Sequence, residues 1–215
     1  MTNPATPVVI GLTGPIAAGK SRVAAYLAEH GALVLDGDVV YRELVAPPSP
    51  LLDGIRRRFG EEVIGADGGL NRAALGEIVF RDPQALADLE AITHPAVVAD
   101  VRRRIAATEA GLVVVEAIKL VESGLADDAD ALWLVEAPDD VRLRRLMARN
   151  DLDEAAARTR LASARPALPA GVVPDVVIDN GGTWEDTQVQ IEAALRQLHA
   201  VVREERTTPT GEDQQ

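Results

Sequence analysis

The chain has 215 residues, 47% of them hydrophobic but only 3% aromatic, so any core must be built from Val, Ile, Leu and Ala. A formal charge of -12 argues against a general nucleic-acid binder, and the absence of cysteine excludes disulfides, thiolate metal sites and thiol catalysis. No run approaches the roughly 20 apolar residues of a membrane span, and Met1–Pro7 lacks a basic start and a long apolar stretch, so the expectation is a cytoplasmic protein with no membrane partner.

Val8–Leu12 is an apolar run stopped by Thr13-Gly14 and reads as a buried strand. Ser21–His30 follows as a helix, with Val23, Ala24, Leu27 and Ala28 on one stripe and Gly31 at its end. Ala32–Leu35 reads as a second buried strand, stopping at Asp36-Gly37-Asp38. Strand, helix, strand in this order is a right-handed crossover of a parallel sheet. Val39–Val45, Pro50–Phe59, Asn71–Phe80 and Pro83–Thr108 read as helices, with a turn at Ala66–Gly69, and form a block inserted into the alternation. Leu112–Glu116 and Ala131–Glu136 resume the strands. Asp139–Asn150 is a basic helix and Glu154–Ser163 another. A Pro-rich hinge at Pro166, Pro169 and Pro174 precedes a last strand, Val176–Ile178, and a last helix, Trp184–Arg203. Glu204–Gln215 reads as a disordered tail.

The strongest chemical signal is Gly14-Pro15-Ile16-Ala17-Ala18-Gly19-Lys20-Ser21, a Gly, four residues, then Gly-Lys-Ser. A triphosphate needs several backbone N–H groups aimed into one concavity, and glycine allows that turn without a Cβ clash. The helix that follows points its N-terminal dipole at the phosphates. Lys20 then reaches the β- and γ-phosphates and the Ser21 hydroxyl binds Mg2+. Pro15 has no N–H to give, so the cradle must use the others.

Asp36 and Asp38 end the second strand, on the sheet edge where ligands bind. One carboxylate could face the metal and the other the acceptor hydroxyl; Asp-Gly-Asp is equally good turn chemistry. Arg142, Arg145 and Arg149 share one helix face, where guanidinium groups could stabilise charge on a transferring phosphoryl group or simply balance Asp139, Asp140 and Asp151. His94-Pro95 has no nearby second His or Cys and gives no metal signal.

Taken together, the cradle, Asp36-Gly37-Asp38 with Arg42, Ile92–Pro95, Leu120–Glu122, Arg145–Arg149 and Val176–Asn180 resemble, in order and spacing, the dephospho-CoA kinase family. The resemblance covers Val8 to Leu198. It implies an α/β P-loop kinase fold, with a five-stranded parallel sheet flanked by helices, a helical acceptor-binding insertion and a lid. The expected division is a core at 7–38, 110–138 and 174–204, an insertion at 39–109, a lid at 139–170 and a tail at 206–215. The implied reaction moves the γ-phosphoryl group of ATP to the ribose 3'-hydroxyl of dephospho-CoA. Asp38 is then the base, with Lys20 and Arg149 catalytic beside it. Gly14, Ala17, Ala18, Gly19, Lys20, Ser21, Arg22, Arg145, Arg149 and Asn180 are expected at ATP, and Asp38, Arg42 and His94 at the acceptor. Ser21 and Asp36 are expected at Mg2+, and the protein is expected to be a monomer.

The sequence departs from the family pattern at Ile118-Lys119, where Pro-Leu is usual, at Arg22 in place of Thr, and at Ala164 and Ala170. Lys119 is either an added phosphate contact or a surface lysine, and Arg165 could stand in for the polar side chain that Ala164 does not provide. Two other readings remain at this level. One is another small-molecule or nucleotide kinase of the same fold; the other is a nucleotide-dependent regulatory module without transfer chemistry.

Overall fold

A computed structural model of the protein describes residues 6–163 and 167–207. The expectations for Ala164, Arg165, Pro166 and residues 208–215 lie outside these. Five strands, β1 (Val8–Thr13), β2 (Leu33–Asp36), β3 (Leu112–Glu116), β4 (Ala131–Glu136) and β5 (Val176–Asp179), form one sheet in the order β2-β3-β1-β4-β5. Every pairing is parallel, as the apolar runs require: strands covered on both faces need no alternation.

The pleat divides β1 between two cores. Ile10 and Leu12 face a cluster with α1 (Lys20–Glu29) and α8 (Trp184–Thr207), through Val23, Leu27 and Ile191. Val9 faces the opposite cluster, with α2 (Gly37–Leu44) and α5 (Pro83–Ala107), through Val40, Val97 and Val101. Among the described residues Trp133 is the largest fully buried side chain, in a core that is mostly aliphatic.

The helical insertion comprises α2, α3 (Pro50–Phe59), α4 (Arg72–Arg81) and α5. It has its own apolar cluster around Ile55, Phe59, Val63 and Leu75, and Tyr41 of α2 touches both this cluster and the sheet's. Ser49, Asn71 and Asp82 cap α3, α4 and α5 with side-chain oxygens, which fixes where each starts. The long α5 runs through Pro95, so His94 lies inside a helix. The two remaining helices, α6 (Asp139–Asn150) and α7 (Glu154–Ala162), close a small cluster of Leu143, Leu146 and Ala157 onto Ile16 and Ala17 of the phosphate loop.

Most boundaries fall within one residue of the sequence reading, and two differ by more. The helix expected over Val39–Val45 starts at Gly37, because Asp36 caps it. The last helix continues to Thr207, beyond the tail boundary expected at Glu204. Polarity alone does not stop a helix; the first strong breaker after Trp184 is Pro209.

Candidate active site

β1 and β3 are neighbours, yet the chain leaves β1 over one face toward β2 and leaves β3 over the other toward β4. Such a switch point opens a crevice at the carboxyl ends of the strands. The loop Gly14–Ser21 occupies it. Gly14 has no room for a Cβ, which would meet the Val135 carbonyl oxygen at 2.3 Å. Gly19 adopts φ +101°, and a Cβ there would meet Asn180 Nδ2 at 2.1 Å. Gly19 also caps α1 without a side chain, leaving the dipole end of the helix open to an anion. Ala17 takes φ 62°, a turn reserved mainly for glycine.

The outside of the loop is gripped at one atom. The Ala18 carbonyl oxygen accepts from Arg145 Nη1 at 3.0 Å and from Asn180 Nδ2 at 2.7 Å. Arg145 Nη2 also donates to the Asn180 carbonyl at 2.7 Å, and the Thr187 hydroxyl donates to Asn180 Oδ1 at 3.1 Å. Burial lowers the Arg145 pKa from its usual value, and Arg22 nearby lowers it further. Arg145 and Asn180, both expected at ATP, thus reach the phosphate loop from behind. Arg142 joins them, with Nη1 3.5 Å from the Ile16 carbonyl. Arg22 stacks its guanidinium 4.0 Å from the Trp184 ring centroid. Arg149 is exposed, and its charge reaches Lys20.

Lys20 lies over the cradle and donates to the Gly14 carbonyl at 3.0 Å. Burial pushes its pKa below the ordinary lysine value; Glu116, Asp38 and Asp36 partly restore it, while Arg149 opposes them. These four residues and Lys20 therefore form one electrostatic group. The register explains how: Asp36 and Glu116 are paired across β2 and β3, and Asp38 sits in the first turn of α2.

Ser21 Oγ donates to Glu116 Oε1 at 2.9 Å. Glu116 is 8% exposed, and desolvation raises its carboxyl pKa above the usual range, against the Ser21 hydrogen bond and the Lys20 charge. A hydroxyl and a buried carboxylate side by side fit Mg2+, which takes one or two protein oxygens and completes its shell with phosphate and water. The sequence reading pairs Ser21 with Asp36 instead. Asp36 Oδ1 accepts from the N–H groups of Asp38 and Val39, at 2.8 and 3.1 Å, as the cap of α2. Glu116 is absent from the residues singled out in the sequence, although an acid closing the apolar run Leu112–Val115 is a usable signal.

Asp38 is exposed toward a second hollow, a cavity of about 360 Å³ between α2, α5 and the loop after β3. Tyr41, Leu89, Val97 and Leu125 give it apolar walls, and His94 and Lys119 bring polar groups. Burial lowers the His94 pKa; Glu90 and Glu122 counter this and Lys119 adds to it. Arg42 is exposed, one turn beyond Asp38 on α2. Asp38 alone stands in both environments, at the edge of the cavity and within the field of Lys20.

Comparison with known proteins identifies the family. A family model described as dephospho-CoA kinase matches residues 8–186. The dephospho-CoA kinase of Syntrophotalea carbinolica is 45% identical over 194 residues, covering 89% of this chain and 92% of the relative. That of Thermobifida fusca is 40% identical over 196 residues, covering 89% and 98%. The crystal structure of TT1252 from Thermus thermophilus superposes with a TM-score of 0.75 at 35% identity, over 89% of this chain and 98% of that one. The five-stranded parallel sheet, the phosphate loop and a family match spanning most of the chain agree, and the chain belongs to the dephospho-CoA kinase family.

Proposed function

We propose that the chain transfers the γ-phosphoryl group of ATP to the ribose 3'-hydroxyl of dephospho-CoA, giving CoA and ADP. The observation that carries this reading is Asp38, which links the phosphate loop to the apolar cavity. An acid on the acceptor side has no purpose in a pure nucleotide switch, which needs a group to orient water.

In the proposed reaction the triphosphate lies along the Gly14–Ser21 backbone. Lys20 exchanges its bond to the Gly14 carbonyl for the β- and γ-oxygens. Ser21 and Glu116 would hold Mg2+, which would supply positive charge to offset that of the phosphates. Asp38 accepts a hydrogen bond from the 3'-hydroxyl and takes its proton as the new oxygen–phosphorus bond forms. The bond between the γ-phosphorus and the bridging oxygen breaks in line, and ADP leaves. The charge of Arg149 is felt at Lys20, and the transition state is loose, so placement and charge matter more than basicity. His94, held toward its neutral form by burial, and Arg42 are assigned to the acceptor.

Among the described residues no helix is long and apolar enough to cross a membrane. The test is ADP release with dephospho-CoA, AMP, other nucleoside monophosphates and no acceptor. Turnover restricted to dephospho-CoA supports the proposal; ATP consumption indifferent to acceptor favours a switch. The same assay on Asp38→Asn is expected to lose kcat by a factor on the order of 10² to 10⁴, with the KM for ATP kept. Near wild-type turnover would remove Asp38 from the role of base.

A further inference from the structure

The acceptor cavity has a charge problem. Asp38 and Glu90 both line it, and burial favours neutral His94. Among the described residues of its wall, Lys119 is the one lysine or arginine. Lys119 projects from the loop after β3 and is paired with Glu90 of α5; both side chains are 30% exposed. Lys119 therefore meets solvent and the cavity while its charge is already offset by Glu90. Lys119 is also one of the positions at which the sequence departs from the family pattern.

An acceptor with a diphosphate next to its ribose brings two more negative charges to a wall already carrying two carboxylates. Like charges there cost affinity unless a cation turns to meet them. A lysine suits that task, because its ammonium is a point charge on a flexible stem and can change partners without a fixed donor geometry. A partly exposed ion pair contributes little by itself, so exchanging it for a diphosphate costs little.

We propose that Lys119 is a specificity-determining residue that leaves Glu90 to bind the diphosphate of the acceptor, in the cavity bordered by Asp38. This rests on the proposed function and adds the residue that recognises the acceptor's charge. Glu90 then acts as a competitor that holds Lys119 until the acceptor arrives.

The test uses the full-length protein with Lys119→Met, Lys119→Arg and Glu90→Gln, each checked by thermal melting. Loss of a charge-assisted hydrogen bond predicts that Lys119→Met raises the KM for dephospho-CoA on the order of tenfold or more. The kcat and the KM for ATP should stay near wild type, and Lys119→Arg should retain most of the affinity. Glu90→Gln should lower the KM, because it removes the competing carboxylate. The KM of wild type should rise more steeply with ionic strength than that of Lys119→Met. An unchanged KM in Lys119→Met would overturn the inference. So would equal losses in Lys119→Met and Glu90→Gln, which mark a clasp joining α5 to the loop. Wild-type turnover of dephospho-CoA is the control: its absence defeats the proposed function itself, whereas its presence with an indifferent Lys119 defeats only this inference.

Discussion

Burial makes the Glu116 carboxylate harder to ionise than a free glutamate, and the Ser21 hydroxyl and Lys20 charge act the other way. The consequence has a sign. Because its folded pKa is raised, the folded protein binds more protons than the unfolded chain between the ordinary and the raised value, and stability falls as pH rises through that window. Above it the ionised carboxylate remains a standing cost, which a bound Mg2+ would offset. Glu116→Gln keeps an acceptor for Ser21 and removes the charge. We expect ligand-free Glu116→Gln to melt at or above the wild-type temperature at neutral pH while losing most Mg2+-dependent turnover. The wild-type acid limb of kcat/KM, expected above the ordinary carboxylate range, should vanish in the residual activity of the variant. A variant that melts much lower, or keeps full turnover, would contradict this account.

At the scale of an element, α2 is short and begins where chemistry is needed. Its first turn carries Asp38, and its start is set by Asp36 Oδ1 accepting two backbone N–H groups. Caps of this kind are worth about 1 kcal/mol when replaced by alanine and little when replaced by another good capper. Asp36→Asn should therefore keep both stability and most activity. Asp36→Ala should lower the melting temperature and, by loosening Asp38, lower kcat. If Asp36→Asn instead abolished Mg2+ dependence, the carboxylate would belong to the metal after all. The same element shows how far sequence carries. β1, the loop and α1 are legible because an apolar run, two glycines and a helical stripe are all local. Asp36 is visible, but its work is not, since strand end, cap and metal site all favour Asp there. Glu116 is harder still: its meaning depends on β3 lying between β2 and β1, which no residue near Glu116 encodes. The cavity wall is of the same kind, because Lys119 and Glu90 are 29 residues apart in the chain.

Over the whole molecule, the helix pair α6–α7 and the helical block α2–α5 are attached differently. The insertion shares Tyr41 between its own cluster and that of the sheet, so it is tied to the core beside Asp38. Helices α6 and α7 have a small cluster centred on fully buried Leu146, and its partners on the core are Ile16 and Ala17 of the phosphate loop. Leu146→Ala should cost on the order of 2 to 5 kcal/mol locally, from reduced burial and the cavity left behind. We propose that this pair, seated on the phosphate loop, acts as a lid that keeps water from the γ-phosphate. We expect faster amide exchange over 139–162 and more acceptor-independent ATP hydrolysis relative to transfer in this variant. Unaltered coupling of hydrolysis to transfer would separate the lid from water exclusion.

The grip on the Ala18 carbonyl has a kinetic corollary. Two separate stretches of chain, through Arg145 and Asn180, hold the loop from its outer side, and the Thr187 hydroxyl steadies Asn180 in turn. A mould braced from outside survives when its casting is removed. A loop with alanines at 17 and 18 in place of extra glycines can then stay shaped between turnovers, so each incoming nucleotide meets a finished surface and little ordering entropy opposes its arrival.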